Sequence, residues 1–217
     1  MKAEVRVFCF DPKFGQKPVY KHYQIPYFSR DKVLGSLIYI YKNFDPCLSF
    51  RFNCKGQHCG ECAITINGKP GLSCAVSMSR DLVLEPLKNL PLAKDLVIQR
   101  TEVYQRIVNG LPPIEIKGNK TTGLRAFPQE VIDRAVHFGG CIHCLCCMSV
   151  CPIYKKSPEI FIGPPGLLAL SASLENIENQ KIYEKAILCA ECGQCEEVCP
   201  RRIPILKAIR KLRGGDA

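Results

Sequence analysis

The chain has 217 residues and a formal net charge of +10 at pH 7, and 15 of its residues are cysteines. Cysteine at this density would suggest a disulfide scaffold in a small secreted protein. The first residues, however, alternate charged with apolar side chains and do not form the apolar run of a secretion signal, so we expect a reducing compartment. No apolar stretch reaches the roughly 20 residues of a membrane span, so we expect any membrane attachment to come through partners.

The N-terminal segment predicts a small sheet covered by a helix. Residues 4–10 and 19–27 are rich in β-branched and aromatic side chains and predict two strands, joined by a turn at residues 11–15. A helix follows, with Asp31 as the predicted N-cap. The apolar residues that we expect to pack on the sheet recur at helical spacing: Val33, Leu34, Leu37, Ile38, Tyr41 and Phe44.

The first cysteine loop comes directly after this helix. Its four cysteines have the C-x4-C-x2-C spacing, with a distant fourth, of a plant-type 2Fe-2S site: Cys54, Cys59, Cys62 and Cys74. Thiolates are soft donors that suit iron, and Gly56 and Gly60 let the backbone curl closely enough for amides to donate to sulfur. A zinc site is the alternative, although this spacing is unusual for zinc ribbons.

The segments around Cys74 complete the predicted sheet. Residues 63–66 predict a short strand, and Asn67-Gly68 predicts a hairpin turn that brings Cys74 back to the loop. Residues 82–87 and 96–99 are predicted strands that close the sheet. The order of strand, strand, helix and cysteine loop is typical of a plant-type ferredoxin.

The segment that follows is interpreted as a connector, residues 101–127, because prolines and glycines interrupt any regular pattern. A packed loop over a partner's surface and a flexible linker both fit its composition. Pro128 begins a predicted helix, and further helices are predicted at residues 166–174, 179–188 and 204–213. We therefore expect an all-α second part.

Two cysteine runs organise this second part. Each run has three cysteines at two-residue gaps and a fourth directly before proline, as in bacterial two-cluster ferredoxins. In that arrangement the fourth cysteine of each run binds the other run's cluster, so metal ties the two segments together. The runs consist of Cys141, Cys144, Cys147 and Cys151, and of Cys189, Cys192, Cys195 and Cys199.

The net charge of the protein is smaller once the expected clusters and their thiolate ligands are counted. A basic chain by itself would favour nucleic acid or an anionic surface. Twelve ligand thiolates contribute about −12, and one oxidised 2Fe-2S core with two oxidised 4Fe-4S cores returns about +6, which leaves roughly +4. We therefore expect no nucleic-acid partner.

Several residues near the motifs do not fit the ligand spacing. Cys9 and Cys47 are interpreted as buried small apolar residues, and Cys146 as packing against a cluster. His58 and His143 are expected near the clusters as hydrogen-bond donors or at the surface, since a Rieske-type role would need paired histidines. A basic patch forms either a solvated face or a docking site for an acidic partner or lipid headgroups: Lys155, Lys156, Arg201, Arg202, Lys207, Arg210, Lys211 and Arg213.

A 2Fe-2S ferredoxin domain followed by a dicluster domain resembles the iron-sulfur subunit of succinate dehydrogenase and fumarate reductase. The resemblance covers nearly the whole chain and includes Asp95-Leu-Val-Ile, Cys144-Leu-Cys146-Cys147 and Phe161-Ile-Gly-Pro-Pro-Gly-Leu-Leu. It implies an α+β fold: a plant-type 2Fe-2S ferredoxin (β-grasp) domain at residues 1–100, the connector, and an α-helical dicluster domain at residues 128–217.

The resemblance also implies a function. The chain would relay electrons between the FAD of a flavoprotein subunit, where succinate and fumarate interconvert, and a quinone or similar carrier at the far end. It would carry no catalytic residue and would be cytoplasmic, peripheral on the inner face of the cell membrane through partner subunits. The alternatives are thiol-driven fumarate reduction, another flavin dehydrogenase, and a free-standing ferredoxin-type carrier.

The family's ligands carry over residue by residue. Cys54, Cys59, Cys62 and Cys74 match the 2Fe-2S set. Cys141, Cys144, Cys147 and Cys199 match the 4Fe-4S set. Cys151, Cys189 and Cys195 match the 3Fe-4S ligands of the common members, which have an aliphatic residue in place of Cys192. Cys192 predicts a second 4Fe-4S cluster, and the alternative is a 3Fe-4S cluster with Cys192 only packed nearby.

A further departure concerns the electron acceptor. Quinone-reducing relatives have a histidine directly after the first cysteine of the second run and a tryptophan five residues beyond the first Cys-Pro. This chain has Ala190 and Lys156 there, and it contains no tryptophan. A cysteine-rich anchor like that of heterodisulfide reductases fits better than the usual membrane anchor with its quinone pocket, while quinone handled through the anchor stays open.

Overall fold

The computed structural model describes residues 1–15, 17–111, 138–172 and 180–214. The helix predicted to begin at Pro128 lies outside these residues. A five-stranded sheet forms the first part, with strand order β2-β1-β5-β3-β4. Its strands are β1 Lys2–Cys9, β2 Val19–Pro26, β3 Ala63–Ile66, β4 Lys69–Leu72 and β5 Asp81–Glu85. The central pair, β1 and β5, is parallel, and the other neighbours are antiparallel.

One face of the sheet is covered by helix α1, Val33–Asn43. Strand β1 alternates strictly, so that Ala3, Val5 and Val7 are fully buried under the helix. The helix contributes three apolar side chains to this part of the core, Val33, Leu37 and Ile40. Leu34 is also buried but packs in the cluster shared with the second part of the chain. Tyr41 and Phe44, which were expected on this face, are exposed instead, because the buried stripe runs through Ile40.

The start of α1 differs from the prediction, because its N-cap is Lys32 and not Asp31, and no side chain caps it. Backbone carbonyls take that role: Val33 N donates to Val76 O at 3.0 Å and Leu34 N donates to Ser73 O at 2.8 Å. These bonds satisfy amides that a helix start leaves free. They also fix the segment that carries Cys74 against the helix.

Residues 96–99 do not close the main sheet as predicted. Strand β7, Val97–Ile98, pairs with β6, Leu92–Lys94, in a separate two-stranded ribbon. Asp95 between them is buried, with a positive φ of 45°. Its carboxylate accepts from Phe10 N and Ser49 N, both at 2.9 Å. These bonds connect the ribbon to the residue after β1 and to the segment that leads into the first cysteine loop.

The beginning of the predicted connector is a helix, α2, Arg100–Gly110. The prolines that suggested irregular structure follow this helix in the sequence. One face of α2 is buried at the spacing of a helix, through Arg100, Val103 and Ile107. The prediction was wrong here because a polar, charged side chain supplies the first buried position.

The second part of the chain is helical where it is described, as predicted. Its helices are α3 Cys146–Ser149, α4 Pro152–Lys156, α5 Gly163–Ala172, α6 Gln180–Ile187, α7 Gln194–Glu197 and α8 Ile205–Leu212. Helix α5 begins three residues earlier than predicted, since Pro164 and Pro165 occupy a first turn that needs no amide donors.

The two parts share one apolar core. Leu72 and Cys74 of the first part belong to the same buried cluster as Met148 and Leu167 of the second. Asn89 Nδ2 also donates to Ser149 O at 2.8 Å across the junction. Within the described ranges, the helices are all too short or too polar to cross a membrane.

Candidate iron-sulfur centres

The first cysteine loop turns its backbone amides toward sulfur. Lys55, Gln57 and Gly60 have positive φ values of 56°, 66° and 71°. This winding lets the N–H groups of Gly56 and His58 donate to Cys54 Sγ, each at 3.3 Å. The amides of Gly56 and His58 lower the pKa of Cys54 to about 6, which favours the thiolate that binds iron.

The other three cysteines of this set interact with one another or with Cys54. Cys62 and Cys74 are buried, Cys59 is half-buried, and Cys54 is exposed. Burial, followed by a hydrogen bond with Cys62, raises the pKa of Cys74 to about 11, whereas the Gln57 amide acts in the opposite sense. Cys59 hydrogen-bonds with Cys54. The loop thus gathers four soft donors and several amide dipoles, which suits a 2Fe-2S cluster.

The second set of thiols lines one cavity built from both cysteine runs. Cys141, Cys144 and Cys147 line it from the first run, and Cys199 from the second. Apolar side chains complete the wall: Pro164, Pro165, Leu168, Ile203 and Ile205. The cavity combines thiols with an apolar wall, which fits a buried 4Fe-4S cluster.

Hydrogen bonding within this set differs among the thiols. His143 N donates to Cys141 Sγ at 3.4 Å. The Cys146 thiol, fully buried, donates to Cys144 and lowers the pKa of Cys144 to about 7, against the effect of burial. Removal from water raises the pKa of Cys147 well above its usual value. Burial therefore disfavours the thiolate of Cys147. A bound cluster would offset this effect, because its iron binds the deprotonated thiol.

The third set combines Cys151 of the first run with the second run. Burial raises the pKa of Cys151, and Cys189 and Cys192 add to the shift. Burial also raises the pKa of Cys195 to about 12, with contributions from Cys189, Cys151 and Cys192. Cys192 itself is exposed. Cys192 is thus the exposed member of this group, near enough to contribute to the raised pKa of Cys151 and Cys195.

Local helix starts and left-handed residues orient the third set. Cys151 is the residue before α4, and the amides of Tyr154 and Ile153 lower its pKa against burial. Glu191 and Gly193 have positive φ values of 52° and 79° on either side of Cys192. Glu191 N donates to Cys189 Sγ at 3.4 Å. The backbone winding here repeats that of the other two loops.

A clamp from the C-terminal helix was not found from the sequence. Arg213 donates to the carbonyls of Ala186 at 2.8 Å and Cys189 at 2.5 Å. Glu191 accepts from Arg210 Nε at 2.8 Å and also from Arg213. Two members of the predicted basic patch thus hold the loop of the third set. No sequence pattern connects Arg210 and Arg213 with the residues that they bind.

The other singled-out residues have mixed outcomes. Cys9 is buried as predicted, but Cys47 is exposed. His58 and His143 are exposed, and their backbone amides, not their rings, donate to sulfur. In the described parts of the chain, no three histidine, cysteine or carboxylate side chains converge closely enough to hold a single metal ion.

Comparison with known proteins follows the same division of the chain. Residues 4–105 match the family described as "2Fe-2S iron-sulfur cluster binding domain", and residues 138–203 match "4Fe-4S dicluster domain". The fumarate reductase iron-sulfur subunit of Escherichia coli O6:H1 is 30% identical over 223 residues, covering 96% of this chain and 90% of that protein. The chain belongs to the family of fumarate reductase and succinate dehydrogenase iron-sulfur subunits. The predicted family and fold class are confirmed.

Two further comparisons concern a longer relative and a solved structure. A protein of Methanothermobacter marburgensis, named as a subunit of fumarate reductase (CoM/CoB), is 31% identical over 96% of this chain. The chain spans only 43% of the length of that protein. A chain of the Mycobacterium smegmatis Sdh1 complex shares the fold, with a TM-score of 0.86, 24% identity, and coverage of 98% of this chain and 94% of that one.

Proposed function

We propose that this iron-sulfur subunit relays electrons within a fumarate reductase or succinate dehydrogenase complex, between the FAD of a flavoprotein subunit and an anchor subunit. The observation that carries the proposal is the presence of three sets of thiols, each served by backbone amides. The clusters, when bound, supply one-electron transfer. The chain's own residues position the clusters and tune their potentials through amide hydrogen bonds and burial.

The proposed ligand sets follow the grouping of the thiols. The 2Fe-2S ligands are Cys54, Cys59, Cys62 and Cys74. The first 4Fe-4S ligands are Cys141, Cys144, Cys147 and Cys199, supported by their common cavity. The last set is Cys151, Cys189, Cys192 and Cys195, supported by their mutual effects on pKa. The domain boundaries at residues 100 and 128 remain predictions.

A second 4Fe-4S cluster, and not a 3Fe-4S cluster, is proposed for the last set. Cys192 is the fourth thiol among Cys151, Cys189 and Cys195, and its exposure leaves it free to turn toward iron. A fourth thiolate should lower the potential of the last centre relative to a 3Fe-4S form. EPR of the oxidised complex tests this: a stoichiometric signal of an oxidised 3Fe-4S cluster would contradict the proposal.

The acceptor is proposed to be a cysteine-rich, heterodisulfide-reductase-like anchor subunit, with quinone reached through that anchor. Two observations support it. Positions 156 and 190 hold lysine and alanine, and both residues are exposed. The methanogen relative carries CoM/CoB in its name, which favours thiol-driven fumarate reduction as a second candidate. Such an anchor would hold the subunit peripherally on the inner, cytoplasmic face of the membrane.

The decisive experiment is purification of the complex from its source under argon, followed by assay of bound flavin and of fumarate reduction. Reduced viologen, a dithiol pair of the CoM/CoB type and a menaquinol analogue are compared as electron donors. Flavin with viologen-driven fumarate turnover establishes the reaction. Turnover with the thiols but not the quinol identifies the second candidate, and flavin without turnover on any donor would overturn the proposed substrate.

A further inference from the structure

The loops of the first two cysteine sets are in direct backbone contact at Gly60. This glycine lies between the proposed ligands Cys59 and Cys62, with φ +71°. A Cβ added to it would lie 2.5 Å from Ile142 O and 3.1 Å from Cys144 Cβ. Backbone approach this close requires glycine. The two loops that would hold the first two proposed clusters are therefore packed directly against each other.

A single guanidinium joins the same two loops. Arg100, the first residue of α2, is only 6% exposed. Its NH1 donates to Gly60 O at 3.3 Å, and its NH2 donates to His143 O at 2.5 Å. Tyr104, one turn later, accepts from Arg100 at 3.1 Å and donates to His143 O at 2.6 Å. The planar fork of arginine suits such a two-sided contact.

The positive charge of Arg100 is incompletely compensated by the residues around it. The carboxylate of Glu61 lies 3.9 Å away, beyond hydrogen-bonding distance, and is partly exposed. Among the described residues, Nε of Arg100 is buried without a hydrogen-bond partner. A buried cation surrounded mostly by carbonyl dipoles favours additional negative charge nearby. Reduction of a cluster adds that charge.

We propose that Arg100 is a positioning residue at the junction of the first two clusters, whose fork fixes the two loops and whose charge raises the reduction potential of both clusters. The inference rests on the ligand sets proposed above. It explains why a charged residue occupies a buried position on α2. The last set is joined to Arg100 by none of these contacts, so its potential should not depend on Arg100.

The test is a redox titration of the purified complex, followed by EPR, with the Arg100→Gln variant. At a fixed potential, the ratio of reduced to oxidised cluster should fall about tenfold for the first two clusters, which is about 59 mV for a one-electron couple. The last cluster should not change. Arg106→Gln is the matched control, because Arg106 lies on the same helix and pairs with Glu102 at 2.6 Å.

A second variant distinguishes the effect of the positive charge from that of the two-sided hydrogen bonding. Arg100→Lys keeps the charge but cannot reach Gly60 and His143 together, so both potentials should stay near wild type. The microwave-power saturation of the reduced 2Fe-2S signal should change, because spin relaxation by the neighbouring cluster depends on their separation. If the glutamine variant fails to assemble, the saturation measurement on the lysine variant is the test. Unchanged saturation would then overturn the proposal that the guanidinium of Arg100 fixes the two loops.

Iron and sulfide content, measured first, distinguishes the possible failures. A wild-type complex without three clusters overturns the proposed ligand sets. Three clusters present, with unchanged potentials in Arg100→Gln, overturns the role of the charge. A lysine variant whose potentials fall as far as those of the glutamine variant also overturns it.

Discussion

Gly60 provides a quantitative test of the contact between the first two cysteine loops. In Gly60→Ala the new Cβ meets the backbone oxygen of Ile142 at 2.5 Å, and the residue must keep a φ of +71°. The left-handed conformation costs an L-residue roughly 1–2 kcal/mol, and overpacking typically adds about 1–3 kcal/mol. The variant should therefore lose roughly 2–5 kcal/mol of stability.

Gly68→Ala separates these two effects. Gly68 has a φ of +80°, but a Cβ there meets nothing within 4 Å, so only the conformational cost of roughly 1–2 kcal/mol applies. The assay is the temperature at which the purified complex loses its visible cluster absorbance, at one scan rate because cluster loss is irreversible. The order of stability should be wild type, Gly68→Ala, then Gly60→Ala. Equal losses in the two variants would refute the proposed loop contact.

Three more predictions concern single cysteines. Cys192→Ser should convert the last cluster to a 3Fe-4S form with a new EPR signal in the oxidised complex, whereas Cys47→Ser, at another exposed cysteine, should leave the spectrum unchanged; identical spectra for both variants would remove Cys192 from the ligand set. Cys199→Ser should lower the thermal stability of the helical part as a whole, because its cluster joins both runs, and normal stability would count against the crossed arrangement. Burial raises the pKa of the Cys9 thiol from 9.0 to about 11, so the neutral thiol stabilises the fold at pH below 9 and this contribution is lost as pH rises toward 11. Urea midpoints of wild type and Cys9→Ala should therefore converge between pH 9 and 11, and a constant difference would contradict the shift.

Cysteine spacing allowed the grouping of the thiols to be predicted because neighbouring cysteines of a motif lie on one loop. A two-residue gap places successive thiols around one loop, and the proline after the fourth cysteine starts a new helix, as Pro152 does in α4. The crossing of Cys199 into the first run's cavity followed from the same spacing rule. The first two strands were predicted from their β-branched and aromatic residues, and in the structure burial alternates along β1.

The errors occurred where distant residues replace a local signal. Asp31 looked like an N-cap, but carbonyls about 40 residues away in the sequence, at Ser73 and Val76, satisfy the start of α1. Helix α2 was missed because a buried arginine does not resemble a core residue, and its burial depends on hydrogen bonds to the carbonyls of Gly60 and His143, which are distant in the sequence. Periodicity cannot show contacts whose partners are distant in the sequence.

The basic patch illustrates how such contacts change a functional interpretation. From the sequence, its cations form either a solvated face or a docking surface. In the structure, Arg213 satisfies carbonyls at the end of α6, where a helix leaves them free. Arg210 pairs with Glu191, whose pKa is lowered by that hydrogen bond. These two arginines bind the loop that carries Cys189 and Cys192, and Arg213 is the more buried of the two. The exposed cations of the patch that bind no part of this loop, Arg201 and Lys207 among them, are therefore the ones that would attract an acidic partner or a headgroup layer.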